Sequence, residues 1–212
     1  MPYSADHRQE TKARIIKSAR RLFNRFGFDC VTIEQIMENA GLTHGGFYRH
    51  FASKGDLYAE VLDCFFTNPD WDCGWEGADV DPAAGQLGPQ IIRTYLSRAH
   101  LDEIENACPM VALPSDVARG GINARKAYQT AFEAMVDILQ QGAHNDVRPD
   151  RRSALAIAAL CIGGMVIARA SDDPALGDEL RNAAMTVALE LGGWEKNRMP
   201  SDGGMASCAQ DA

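Results

Sequence analysis

Two glycine-punctuated helical signals lie within the 27 residues from Val31 to Leu57, and they limit this chain more than any other stretch. Thr32 is followed three residues later by Gln35, the spacing of a capping box that satisfies two orphan amides reciprocally. Val31 and Ile36 are placed to close a hydrophobic staple over it. Ile33, Ile36, Met37 and Ala40 then recur at helical spacing on one face. Gly41 ends that helix, because glycine alone turns left-handed there without steric cost. The pattern restarts at once. Thr43 is a second N-cap, with Leu42 and Phe47 as its staple, and Phe47 and Phe51 share a face. Ser53, with Asp56 at the box position, caps a third helix.

Two short helices joined by a glycine turn, the second carrying Thr, His, Tyr and Arg, make a helix-turn-helix. Gly45 and Gly46 sharpen the reading. Inside a helix each costs about 1 kcal/mol against alanine. Either they let the backbone approach another surface, such as the floor of a DNA groove, or they permit close helix packing.

These residues resemble the DNA-binding domain of TetR-type transcriptional regulators. That family's pattern appears as Thr32, Ala40-Gly41-Leu42, Thr43, Gly45, Tyr48, Phe51, Ser53-Lys54 and Leu57, and the likeness runs from about residue 8 to 66. Met37 departs from it where a small residue is usual, and Gly46 where Ser, Thr or Ala is usual. The resemblance implies an all-α fold, with an N-terminal three-helix helix-turn-helix domain followed by a helical ligand-binding and dimerisation domain. It places Tyr48 and Lys54 at DNA contacts. The sequence adds that Thr43 and Lys54 stand at helix N-termini, which favour phosphate. His44, Gly45, Gly46 and Arg49 are then expected to face bases or the groove, and Thr32 and His50 complete the candidate set.

Charge is divided to suit such a role. The chain of 212 residues has net charge −8, yet residues 1–55 hold nine Lys or Arg against five Asp or Glu. A basic end on an acidic body confines phosphate neutralisation to one place. The first helix, from about His7 to Phe26, carries an apolar stripe of Ile15, Ala19, Leu22, Phe23 and Phe26. Its Arg20, Arg21 and Arg25 read as a solvated face, whereas Arg8 and Lys12 are candidates for phosphates or a minor groove.

Residues 1–66 are therefore expected to form the DNA-binding domain. Residues 67–89, rich in Gly, Pro and Asp, read as a long loop or linker containing Trp71 and Trp75. Residues 90–194 read as helical throughout. One amphipathic helix carries Ile91, Ile92, Tyr95, Leu96 and Ala99, and Pro109 opens a short helix that Pro114 divides. A long helix runs from about Ile122 to Gln141. Pro149 opens another that is apolar nearly all round, and Asp173-Pro174 leads into the last. Residues 195–212 read as a disordered tail. The longest apolar or glycine run, Ala154–Ala168, falls short of the ~20 residues that span a bilayer. With no charged-then-apolar leader visible, no membrane and a cytoplasmic location are expected.

Six cysteines are scattered without metal-ligand spacing, so no metal site and no cofactor are expected, and lone histidines give no basis for an enzyme. The function expected is that of a sequence-specific DNA-binding regulator, a repressor released by a small molecule. Its partners are double-stranded DNA, an unknown small-molecule effector and a second copy of itself. The resemblance pairs the copies through the last two helices, whose excess of Ala and Gly suits close approach. Apolar and aromatic residues on facing helices supply the effector candidates: Tyr95, Met110, Leu113, Tyr128, Phe132 and Met165. Two alternatives stand beside this reading, a ligand-free DNA-binding dimer and a thiol-responsive regulator. The second rests on Cys108, placed before Pro109 at a helix start where the dipole lowers a thiol pKa.

Overall fold

The computed structural model describes residues 5–67, 87–112, 114–119, 121–141 and 148–195. Among these, every regular element is helical. Helix α1 spans Ala5–Phe26, α2 spans Ile33–Asn39, and a 3-10 helix spans His44–Arg49. Helix α3 follows at Lys54–Thr67. The remainder comprises α4 (Leu87–Tyr95), α5 (Arg98–Asp102), α6 (Pro109–Ala112), α7 (Pro114–Arg119), α8 (Ile122–Gln141), α9 (Arg151–Ala170) and α10 (Pro174–Leu191).

Two apolar clusters hold this arrangement. The first gathers Ile15, Phe23, Ile36, Phe47, Leu57 and Leu62 beneath α1 to α3, together with Val117 of α7 and Ala124 of α8. The second gathers Tyr95, Met110, Met135, Leu139, Ile157 and Met165 between α4, α6, α8 and α9, with Ala184, Ala188 and Leu189 from α10. Tyr128 packs against both. Helix α3 lies against α8, and α9 against α10.

Several local expectations meet a different geometry. The expected helix through Ile91 and Ala99 is two helices. Ser97 sits in extended conformation between them and accepts from the His100 amide at 3.1 Å, capping α5. The buried Arg181 donates to the Leu96 carbonyl at the same break. Residues 87–89, assigned to the linker, open α4, where Gly88 lies against the Trp194 ring. Asp150 rather than Pro149 caps α9, accepting from the Ser153 amide at 2.7 Å.

The charged face of α1 is not simply solvated. Arg20 is only 2% exposed. Arg21 donates to Asn106, and Arg25 pairs with Glu105 at 2.7 Å. Hydrophobic periodicity cannot distinguish a solvated arginine from one lying against another helical layer. The segment containing Trp71 and Trp75, and the tail from residue 196, lie outside the described residues.

The α9–α10 contact divides the small residues that the sequence pooled. A Cβ on Gly164 would stand 2.9 Å from that of Ala184, so these two are spent inside the protomer, as is the buried Ala158. Ala159 and Ala183 are exposed, and a Cβ on Gly163 would meet nothing within 4 Å. Helix α9 is long and apolar enough to cross a membrane by length and composition. Its Ala154, Ile157, Ala158, Cys161, Met165 and Ala168 are buried, which accounts for the apolarity by core packing.

Candidate nucleic-acid interface

The expected capping of α2 is present. The Thr32 hydroxyl accepts from the Gln35 amide at 3.2 Å, and the Gln35 side chain accepts from the Thr32 amide at 2.8 Å. Gly41 follows at φ +66°, and the Leu42 amide reaches back to the Met37 carbonyl at 2.8 Å. This left-handed closure turns the chain sharply enough for the second helix to cross the first.

That second helix is a 3-10 turn rather than an α-helix. Two adjacent glycines weaken α propagation, and tight i to i+3 bonds suit so short a piece. Thr43 occupies the N-cap position, but its side chain makes no capping bond and is exposed. On the inner face, Phe47 and Phe51 are buried with ring centroids 5.6 Å apart. On the outer face, Thr43, His44, Gly45, Tyr48 and Arg49 are all exposed, Tyr48 by 59%. Its ring meets His44 edge-on at 6.0 Å.

Neither Gly45 nor Gly46 has positive φ. A Cβ on Gly45 would meet nothing within 4 Å, and one on Gly46 would be in ordinary contact with the Met37 Cε at 3.5 Å. Internal packing and backbone strain therefore explain neither. The two departures from the family pattern also meet each other, since Met37 is buried beside the space that a side chain at 46 would fill.

Other expected contacts are differently engaged. Lys54 is half-buried, and its ammonium donates to the carbonyls of Phe28 and Val31 at 2.8 Å each while lying 4.3 Å from the Phe28 ring centroid. Its observed task is to tie the α1–α2 loop to the start of α3, which the helix-terminus argument did not anticipate. Lys12 pairs with Glu60 of α3 and lies over Phe51. Arg8 reaches the 3-10 helix, donating to the Arg49 carbonyl at 3.2 Å. Between these elements opens a hollow of about 570 Å³. Its floor includes Met37 and Leu42, its rim includes Arg8, Arg49 and His50, and none of the described residues that line it is acidic. Burial first, then the charges of Arg8, Lys12 and Arg49, lower the His50 pKa below its ordinary value.

The effector candidates in the body are close-packed. Tyr95, Met110 and Met165 are buried in the second cluster, with Tyr128 and Phe132 against its edge. Leu113 lies outside the described residues. Cys108 overturns the thiol reading. It is 0% exposed, and burial pushes its pKa up to about 12. The short helix after it cannot offset the loss of water around a thiolate.

A polar seam, unseen in the sequence, joins the two clusters. Asn24 of α1 donates to the carbonyls of Glu105 and Ala107 at 3.2 and 2.9 Å. Asp116 of α7 accepts from the Phe28 amide at 2.7 Å. No motif announces these bonds, because they link residues more than 80 positions apart.

The family model of bacterial regulatory proteins of the tetR family matches residues 15–61. The transcriptional repressor KstR2 of Mycolicibacterium smegmatis is 30% identical over 145 residues, covering 64% of this chain and 67% of that one. Matches to five other curated regulators span only 19–28% of their lengths. Among solved structures, Escherichia coli NemR in its reduced form aligns with TM-score 0.66 at 17% identity, over 86% of this chain and 97% of that one. A SmeT–triclosan complex aligns with TM-score 0.54 at 21% identity, over 85% and 90%. These structures share the fold. The chain belongs to the TetR family of bacterial regulatory proteins.

Proposed function

We propose that the protein is a sequence-specific DNA-binding transcriptional repressor that acts as a two-fold dimer and leaves its operator when a small molecule binds. The observation that carries the DNA-binding half is the exposed ridge from Thr43 to Arg49. It presents Tyr48, Arg49 and the bare backbone of Gly45 outward, and the protein's own packing requires none of them there. So short an element contacts only a few base pairs, and a dimer places two in successive major grooves about one helical turn apart.

The pairing surface proposed is the outer face of α9 and α10. Leu155, Ala159 and Gly163 on α9 lie at helical spacing, as do Leu176, Leu180, Ala183, Val187 and Leu191 on α10. Of these, Leu155, Leu176, Val187 and Leu191 are large exposed apolar residues. Val187→Asp is expected to give a folded monomer by light scattering, with unchanged helical circular dichroism and operator affinity lowered more than tenfold. A dimeric Val187→Asp protein moves the interface elsewhere.

For the effector, the reading favours a largely apolar molecule entered among Tyr95, Met110, Tyr128, Phe132 and Met165, with one polar handle. Support comes from the aromatic and methionine content of that cluster and from the triclosan-bound structure of similar fold. A compound found by thermal-shift screening is titrated with and without operator. Because coupling is reciprocal, operator weakens its binding by the factor it weakens operator binding. Equal affinities favour the ligand-free dimer, for which the close packing of Tyr95, Met110 and Met165 already argues.

A further inference from the structure

The hollow between the start of α1 and the 3-10 helix has a composition that neither core packing nor base reading explains. Its floor is apolar, from Met37 and Leu42, and its rim is cationic, from Arg8 and Arg49 with His50 beside them. Among the described residues, no carboxylate pairs with Arg8 or Arg49. At about 570 Å³ the hollow has room for a sugar-phosphate unit. Thr43 and Arg49 of the exposed ridge also line it, so a duplex lying on that ridge comes alongside the hollow.

We propose that this hollow seats one backbone sugar-phosphate of the bound DNA strand, the deoxyribose over Met37 and Leu42 and the phosphodiester held by Arg8, Arg49 and His50. The inference rests on the DNA-binding reading and adds to it a particular phosphate and a particular consequence. Arg8 already bonds the Arg49 backbone, so the two sides of the seat are held together before DNA arrives. Preorganised donors of this kind give phosphate contacts their positioning role.

The consequence is proton linkage. In the free protein His50 faces Arg8 and Lys12 from α1 and Arg49 from the 3-10 helix, and with burial these lower its pKa. Glu60 of α3 offsets part of the Lys12 charge, and His7, which also lines the hollow, is itself near Glu10. A phosphodiester placed among them reverses the balance and raises the His50 pKa. DNA binding then takes up a proton at His50. Affinity rises as pH falls through the raised, bound-state value, and levels off below the free-state value, which lies under 6.5.

The test uses the full chain and an operator duplex selected from a random-sequence library, at fixed ionic strength between pH 8 and pH 5.5. For the wild type, affinity is expected to rise toward tenfold per pH unit for each seat taking up a proton. His50→Gln is expected to lose about one proton per protomer from that slope. Methylphosphonate substitution at each backbone position in turn should find one position per half-site that removes the same component in the wild type. Equal slopes for wild type and His50→Gln overturn the seat. So does a wild-type slope that survives neutralisation at every single phosphate. Should the wild type select and bind no duplex at any pH, the DNA-binding reading fails and the seat falls with it.

Discussion

Lys54 shows how a residue can match a pattern and yet be occupied. Its position at the start of α3 suits a phosphate contact, but its ammonium is held by the Phe28 and Val31 carbonyls and the Phe28 ring. Charged hydrogen bonds of this kind contribute about 1.5–3 kcal/mol each. Lys54→Ala is therefore expected to lower thermal stability while leaving the salt dependence of DNA binding unchanged. A phosphate contact would instead reduce that slope by about one per protomer. His100 is the opposite case, a lone histidine that proves structural. It is buried, its Nδ1 lies 2.6 Å from the Tyr95 carbonyl, and burial lowers its pKa to about 4. The folded protein keeps it neutral while the unfolded chain protonates near 6.5. Stability thus falls as pH drops from 6.5 to 4, by up to about 3 kcal/mol, and no further on its account below that. Urea titrations of wild type and His100→Gln should differ in slope over this window by about one proton.

Among elements, the 3-10 helix is where sequence and structure inform each other most. The boundaries of α2 and α3 were legible because caps and glycines are local chemistry: Thr32 with Gln35 closes its box, the Ser53 hydroxyl caps α3 by accepting from the Asp56 amide while donating to the Asp56 carboxylate, and Gly41 has positive φ. The exposed set on the ridge was legible from periodicity. What the sequence left open was why Gly45 and Gly46 are glycine, and their surroundings remove internal packing as the reason, with open space at Gly45 and ordinary contact at Gly46. Gly45→Ala is expected to leave thermal stability unchanged or slightly raised, since its Cβ meets nothing. The same change should lower operator affinity severalfold by holding the backbone off the groove. A protein that keeps full affinity returns Gly45 to chance. Illegible by the same token were the break at Ser97, the burial of Arg20 and Arg181, and the inert state of Cys108. Each depends on which distant element comes to lie alongside.

At the scale of the whole molecule, the segment from Glu103 to Arg119 joins the two clusters. Ala107 to Val111 are buried in the body, Val117 belongs to the first cluster, and Asn24 and Phe28 bond to its two ends. Together with α3 and Tyr128 it touches both halves, which an element carrying coupling must do. Asn24→Ala removes two bonds to backbone carbonyls, one of them buried, at a cost of about 1–3 kcal/mol. It is expected to reduce the effector's influence on operator affinity while leaving effector affinity in the absence of DNA within twofold. An unchanged influence assigns coupling to α3 and Tyr128 instead.

That shared core bears on anyone who would transplant this DNA-reading end onto another regulator's sensor. Val117 and Ala124 belong to the same apolar cluster as Phe23 and Leu62, so a cut anywhere between residues 67 and 87 severs one hydrophobic unit rather than a tether. The excised piece would carry a raw apolar flank, and the recipient would need to supply the missing face of α7 and α8. A working chimera would be joined along the packing surface, with the recipient's side chains redrawn to receive Val61 and Leu62, and the joint in the chain would be the least of its problems.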